Sequence, residues 1–151
     1  MPTFAHSLTA AGYDTVLGGR MHFVGPDQRH GFKRRIIGDV LSPLPGGPGP
    51  DLGHIPRGTT GQSRVAVQVA GPGRTAYQAY DVAVVDRCCA WLQERERHAG
   101  DAPFCLVVGL VLPHCPFICP QALYDEYFDQ VTVPSVPADS VSYTHLTLPT
   151  N

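Results

Sequence analysis

Residues 3–22, TFAHSLTAAGYDTVLGGRMH, decide how the fold of this chain is read. Thr3 supplies the side-chain oxygen that a helix start needs. Phe4, Leu8 and Ala11 then recur at helical spacing, and Gly12 stands where a left-handed C-terminal cap would. The pattern predicts a short amphipathic helix. Tyr13-Asp14-Thr15-Val16-Leu17 follows as a strand of β-branched and aromatic residues, stopped by Gly18-Gly19, which permit a sharp turn. A helix, a strand and a tight turn in so few residues make half of an α/β repeat, and they predict an open, mostly parallel sheet.

Working outward, Tyr77 to His98 is the clearest helix. Tyr77, Tyr80, Val84, Cys88 and Trp91 fall on one side of it, while Asp86, Gln93 and Arg97 fall on the other. Cys88-Cys89 and Trp91 are expected in the core. Phe104 to Leu112 is an unbroken apolar run, which predicts a central strand buried on both faces and stopped by Pro113. Pro120 starts a short helix through Tyr124 to Phe128. Between these elements, residues 38–74 are rich in Gly and Pro and show little regular structure beyond Val65-Ala66-Val67. A loop this long inside a compact domain serves as a lid or binding loop, or else links two units. We read it as a lid.

The 151 residues suffice for one domain or part of one, and 43% hydrophobic with 16% charged residues is the composition of a folding α/β chain. A net charge of −2, with basic residues scattered apart from Lys33-Arg34-Arg35, argues against nucleic acid or an anionic membrane as partner. No apolar run approaches the length of a membrane span, and the first residues, MPTFAH, carry no export signal, so a cytoplasmic location is expected. The five cysteines, an odd number without repeated spacing, favour a reducing compartment. Nothing in the sequence indicates an oligomeric state.

In open α/β sheets, ligands bind beyond the carboxyl ends of the strands. Two polar groups fall there: Arg20 and His22 after the first strand, and His114 after the strand ending at Leu112. An arginine fork with two histidines is suited to gripping a tetrahedral anion and moving a proton, although loop histidines with no such role are common. Asp27, Gln28 and His30 are either contacts to a substrate head group or ordinary turn residues. His114, Cys115 and Cys119 lack a partner pair at zinc-site spacing.

The run PTFAHSLTAAGYDTVLGGRMHFVGPDQRHGF resembles a segment of the sulfatase family, in its choline-sulfatase-like branch, that carries a Gly-Lys-x-His motif followed by Met-His-Phe-Val-Gly-Pro-Asp-Gln. AYDVAVVDRCCAWL and PFCLVVGLVLPHCPF are similar to that family's helix and following strand, with its His-x-Pro-Phe element. The resemblance spans residues 2–134. It implies an alkaline-phosphatase-like α/β sandwich with a mostly parallel central sheet, and hydrolysis of a small organic sulfate ester. By the same resemblance, His22 lies beside the catalytic formylglycine, Arg20 takes the place of the family's lysine, and His114 contacts the sulfate or its leaving-group oxygen. The family also implies a divalent cation, calcium.

The sequence lacks other parts of that pattern. No cysteine begins a Cys-x-Pro/Ala-x-Arg element, and there is no adjacent Asp-Asp pair to open a metal site, so no metal ligand is assigned and tight cation binding by these residues is not expected. Residues 1–140 are therefore read as part of a sulfatase catalytic domain, without turnover of its own. The final stretch, VSYTHLTLPTN at 141–151, changes character abruptly; its codons can spell a transposon-based sequencing adapter, and it is expected to be foreign to the protein. The alternatives are a phosphonate or phosphate ester hydrolase of the same superfamily and a non-catalytic anion-binding module.

Overall fold

A computed structural model of the chain describes residues 1–23, 25–40, 64–98 and 102–132. In chain order they form α1 (Phe4–Ala10), β1 (Asp14–Gly19), β2 (Arg34–Ile37), α2 (Arg64–Gln68), β3 (Gly71–Pro72), α3 (Ala76–Arg97), β4 (Phe104–Gly109), β5 (Ile118–Cys119) and α4 (Gln121–Tyr127). The main sheet has the order β2-β1-β4, and both of its pairings are parallel. A second, two-stranded parallel ladder joins β3 to β5. The middle of the expected lid, 41–63, and the tail at 141–151 lie outside the described residues.

The opening helix forms as its sequence predicts. Thr3 is the N-cap, its amide donating to His6 Nδ1 at 3.1 Å, and Gly12 follows the helix with a left-handed φ of 91°. α3 begins with a reciprocal cap. Thr75 Oγ1 accepts from the Gln78 amide at 3.3 Å, while Gln78 Oε1 accepts from the Thr75 amide at 3.0 Å.

Helices cover both faces of the main sheet. Leu17 packs with Ala5 of α1 and with Phe32, and Val107 lies against them. The apolar side of α3, Tyr77, Tyr80, Val84 and Cys88, packs with Ile37 and Val111, and Leu106 lies against that group. Leu106 and Val107 are consecutive residues of one strand and so point to opposite faces. This is the open, parallel sheet with helices on its faces that an α/β repeat predicts.

Several expectations need correction. β1 does not stop at Leu17: its ladder with β4 runs on through Gly18↔Val108 and Gly19↔Gly109. β4 ends at Gly109 rather than Leu112, because the Arg20 amide takes the Gly109 carbonyl at 2.8 Å, while the amides of Val111 and Leu112 go to Asp81. Nor is β4 buried on both faces, since Phe104 and Val108 are 45% and 43% exposed. Among the described residues β4 pairs with one strand only, and the central strand is β1, where Thr15 to Gly19 are buried throughout. On α3, Cys88 is buried as expected, but Trp91 is only half-buried and Cys89 is exposed. β2, hidden in a run of basic residues, was not anticipated. No helix among the described residues is long and apolar enough to cross a membrane.

Candidate functional site

β1 and β4 run parallel and end level with each other at Gly19 and Gly109, so both expected site loops leave the same end of the sheet. The two strand ends touch. A Cβ on Gly109 would run into the backbone of Arg20, which means that only glycine lets the chain cross here. Arg20 is fixed by this contact through its backbone, leaving its side chain to act. Its Nη1 is buried and has no hydrogen-bond partner among the described residues. A buried donor without an acceptor is costly, and native proteins keep few of them.

His22 is exposed and takes a left-handed backbone, φ 57°, at a cost of roughly 1–2 kcal/mol for a residue with a Cβ. Its amide donates to Asp39 Oδ2 at 3.1 Å. Asp39 lies 3.9 Å from Arg35 Nη2, and both side chains are buried. Arg35 in turn donates to the Gly19 carbonyl at 2.8 Å and to Gln28 Oε1 at 2.9 Å. Gln28 completes the loop by donating to the carbonyls of Phe23 and Gly25 at 3.0 and 2.7 Å. Burial pulls the Arg35 guanidinium below its ordinary pKa, and the Asp39 charge opposes that shift. Tyr80 reaches the same network from α3, its hydroxyl donating to the Gly38 carbonyl at 2.7 Å. Burial, followed by the nearby Asp39 charge, pushes its phenol pKa up, and Arg35 and Arg20 partly counter the effect.

His114 is half-buried on the other loop. Its Nδ1 lies 2.7 Å from the Cys115 carbonyl, so in the neutral ring Nδ1 carries the proton and Nε2 keeps the lone pair. Tyr77 of α3 meets the ring edge-on, with centroids 5.7 Å apart. The Tyr77 hydroxyl is buried without a hydrogen-bond partner among the described residues. Preceding the histidine, Asp81 accepts from the amides of Val111 and Leu112 at 2.8 and 3.0 Å, one on each carboxylate oxygen.

Arg20, His22 and His114 thus share one end of the sheet on two adjacent strands. Asp27 and Gln28 are placed as turn and scaffold residues: Asp27 Oδ1 accepts from the amides of Arg29 and His30, which holds its carboxyl below the usual range. The sequence reading missed Arg35, Asp39 and Asp81. The residues present do not fit the cation that the family implies, because among the described residues no three His, Cys, Asp or Glu side chains gather to hold a metal ion. Asp39 faces a guanidinium, and both Asp81 oxygens accept backbone amides.

No family model matches the chain. It is 36% identical over 141 residues to the choline-sulfatase of Rhizobium meliloti (strain 1021), across 85% of this chain and 26% of that enzyme. The chain therefore spans about a quarter of the length of the curated relative it matches. By sequence this is a sulfatase-like stretch, and its helix-covered parallel sheet is part of an alkaline-phosphatase-like α/β fold.

Proposed function

We propose that this chain supplies the anion-gripping side of a sulfatase site that acts on a small organic sulfate ester. The observation that carries the reading is the buried, unpartnered Nη1 of Arg20, directly beyond the strand end and two residues before His22. A sulfate oxygen would satisfy that donor. A guanidinium fork also gives the planar, two-point recognition of an oxyanion that ammonium does not. His22, exposed beside it, and His114, with its Nε2 lone pair, would hold or move a proton at the ester oxygens. The likeness to a choline-sulfatase supports sulfate as the anion.

No step is assigned to a cation or to a formylglycine, since neither a fitting carboxylate cluster among the described residues nor the nucleophile's sequence element is found. Aryl-sulfate hydrolysis by these 151 residues is accordingly expected to be undetectable with calcium present. The direct test is titration of the chain with inorganic sulfate, followed by NMR of the arginine and histidine side chains. Saturable shifts at Arg20, His22 and His114 that vanish in Arg20→Ala are expected. Absence of binding would refute the proposal, and tighter binding of inorganic phosphate than of sulfate would turn it toward phosphate or phosphonate esters.

A further inference from the structure

The buried carboxylate of Asp81 has no part in gripping the anion, yet it sits in the apolar side of α3 between Tyr77 and Val84. Burying a carboxylate is expensive, and a neutral or apolar side chain would fill the same space at less cost. Both of its oxygens are used. Oδ1 accepts from the Val111 amide at 2.8 Å and Oδ2 from the Leu112 amide at 3.0 Å. These amides lie just past the end of β4, where the chain has left its ladder with β1, and among the described residues no strand pairs with them. The His114 amide then donates back to the Val111 carbonyl at 3.0 Å, closing a turn whose first residue is the one Asp81 holds.

One helical turn before Asp81, Tyr77 packs edge-on against the His114 ring. α3 therefore meets the His114 turn twice on one face, by a charged hydrogen-bond fork at its base and by an aromatic contact at its tip. We infer that Asp81 is a positioning residue for His114: it clamps residues 111 and 112 so that the ring is seated against Tyr77 with Nε2 presented to the anion. The inference rests on the sulfate-site reading of His114. His22 serves as an internal control, because its own anchor is Asp39.

The test compares Asp81→Asn with the unaltered 151-residue chain by NMR of the histidine rings during titration with inorganic sulfate. The amide side chain keeps one acceptor and turns a donor toward a backbone N–H, so one clamp bond is lost. The expected result is loss of the Tyr77–His114 ring contact and about tenfold weaker response of His114 to sulfate, the equivalent of one ordinary hydrogen bond, with the His22 response retained. A variant that keeps both the ring contact and the His114 response overturns the inference. So does one in which His22 and His114 weaken alike, because that is what a role in folding alone produces. If the unaltered chain shows no sulfate response, the sulfate reading fails, and the clamp then stands or falls on the Tyr77–His114 contact alone. Should Asp81→Asn not fold, Asp81→Glu, which keeps the charge on a longer arm, carries the same comparison.

Discussion

The two ends of the main sheet handle charge in opposite ways. At the amino end, the Asp14 carboxylate receives Arg34 and also Arg95, the latter at 3.4 Å. Both guanidinium groups rest near the Trp91 ring, at 5.9 and 5.7 Å, and Arg95 also lies 4.8 Å from the Phe104 centroid. Cations meet an anion and aromatic faces there, and in the cavity of about 270 Å³ among Arg34, Trp91, Glu94, Arg95 and His98 both arginines are already engaged with Asp14 and the Trp91 ring. At the carboxyl end, buried donors on Arg20 and Arg35 lack partners among the described residues, and His22 holds a strained backbone. The contrast teaches that density of charge is not what distinguishes the proposed site. What marks it is interaction left unfinished in a place where leaving it unfinished is costly.

Substitutions at the two ends of β4 and around them sharpen that contrast. The largest effect is expected at Gly109, where Ala would drive a methyl into the Arg20 backbone. We expect a loss of about 3 kcal/mol or failure to fold, read by urea denaturation, whereas Phe104→Leu at the other end of the same strand should cost far less. A smaller loss, about 1–3 kcal/mol, is expected for Tyr80→Phe, which leaves the Gly38 carbonyl without its buried donor.

Tyr80 also gives the alkaline limb its sign. Its folded phenol pKa lies above the ordinary 10.0, so as pH rises past that value the unfolded chain gives up its proton first. The unfolded state then binds fewer protons than the folded one, and stability falls with pH. The buried Cys88 thiol, pushed above its ordinary 9.0 by burial, adds a loss of the same sign. Denaturation curves should show a weaker alkaline decline in Tyr80→Phe than in the unaltered chain. The smallest effect is expected at the amino end, where Asp14→Asn should cost about 1 kcal/mol or less and leave the sulfate response of His22 and His114 unchanged. A large loss of sulfate response there would erase the distinction between the two ends.

Local pattern made much of the fold legible. The stripe from Tyr77 to Cys88 gives α3, and the turn at Gly12 and Gly18-Gly19 brackets β1 within two residues. β2 escaped because Arg34-Arg35 reads as an exposed basic run, whereas Arg35 is buried and joined to Asp39 and Gln28. The expected burial of β4 failed for a different reason. Sequence shows that a run is apolar, but not how many strands flank it.

The site divided along the same line. The placement of Arg20, His22 and His114 at one end of the sheet could be expected because each follows an apolar strand pattern within a few residues. Their supports could not, since Asp39 meets His22 across 17 residues and Asp81 meets Val111 across 30, and such pairs leave no local period. One signal was available. Asp81 falls in the apolar stripe of α3, where a carboxylate without a purpose would be out of place.

The exposed apolar residues on and just beyond β4 bear on how the chain behaves in a test tube. Phe104 and Val108 on β4 and Leu110 just beyond it, all more than two-fifths exposed, add apolar surface to a molecule whose net charge of only −2 does little to keep copies apart. Dilute samples and low salt are the conditions to choose for probing the proposed anion site, because both disfavour contact between such surfaces.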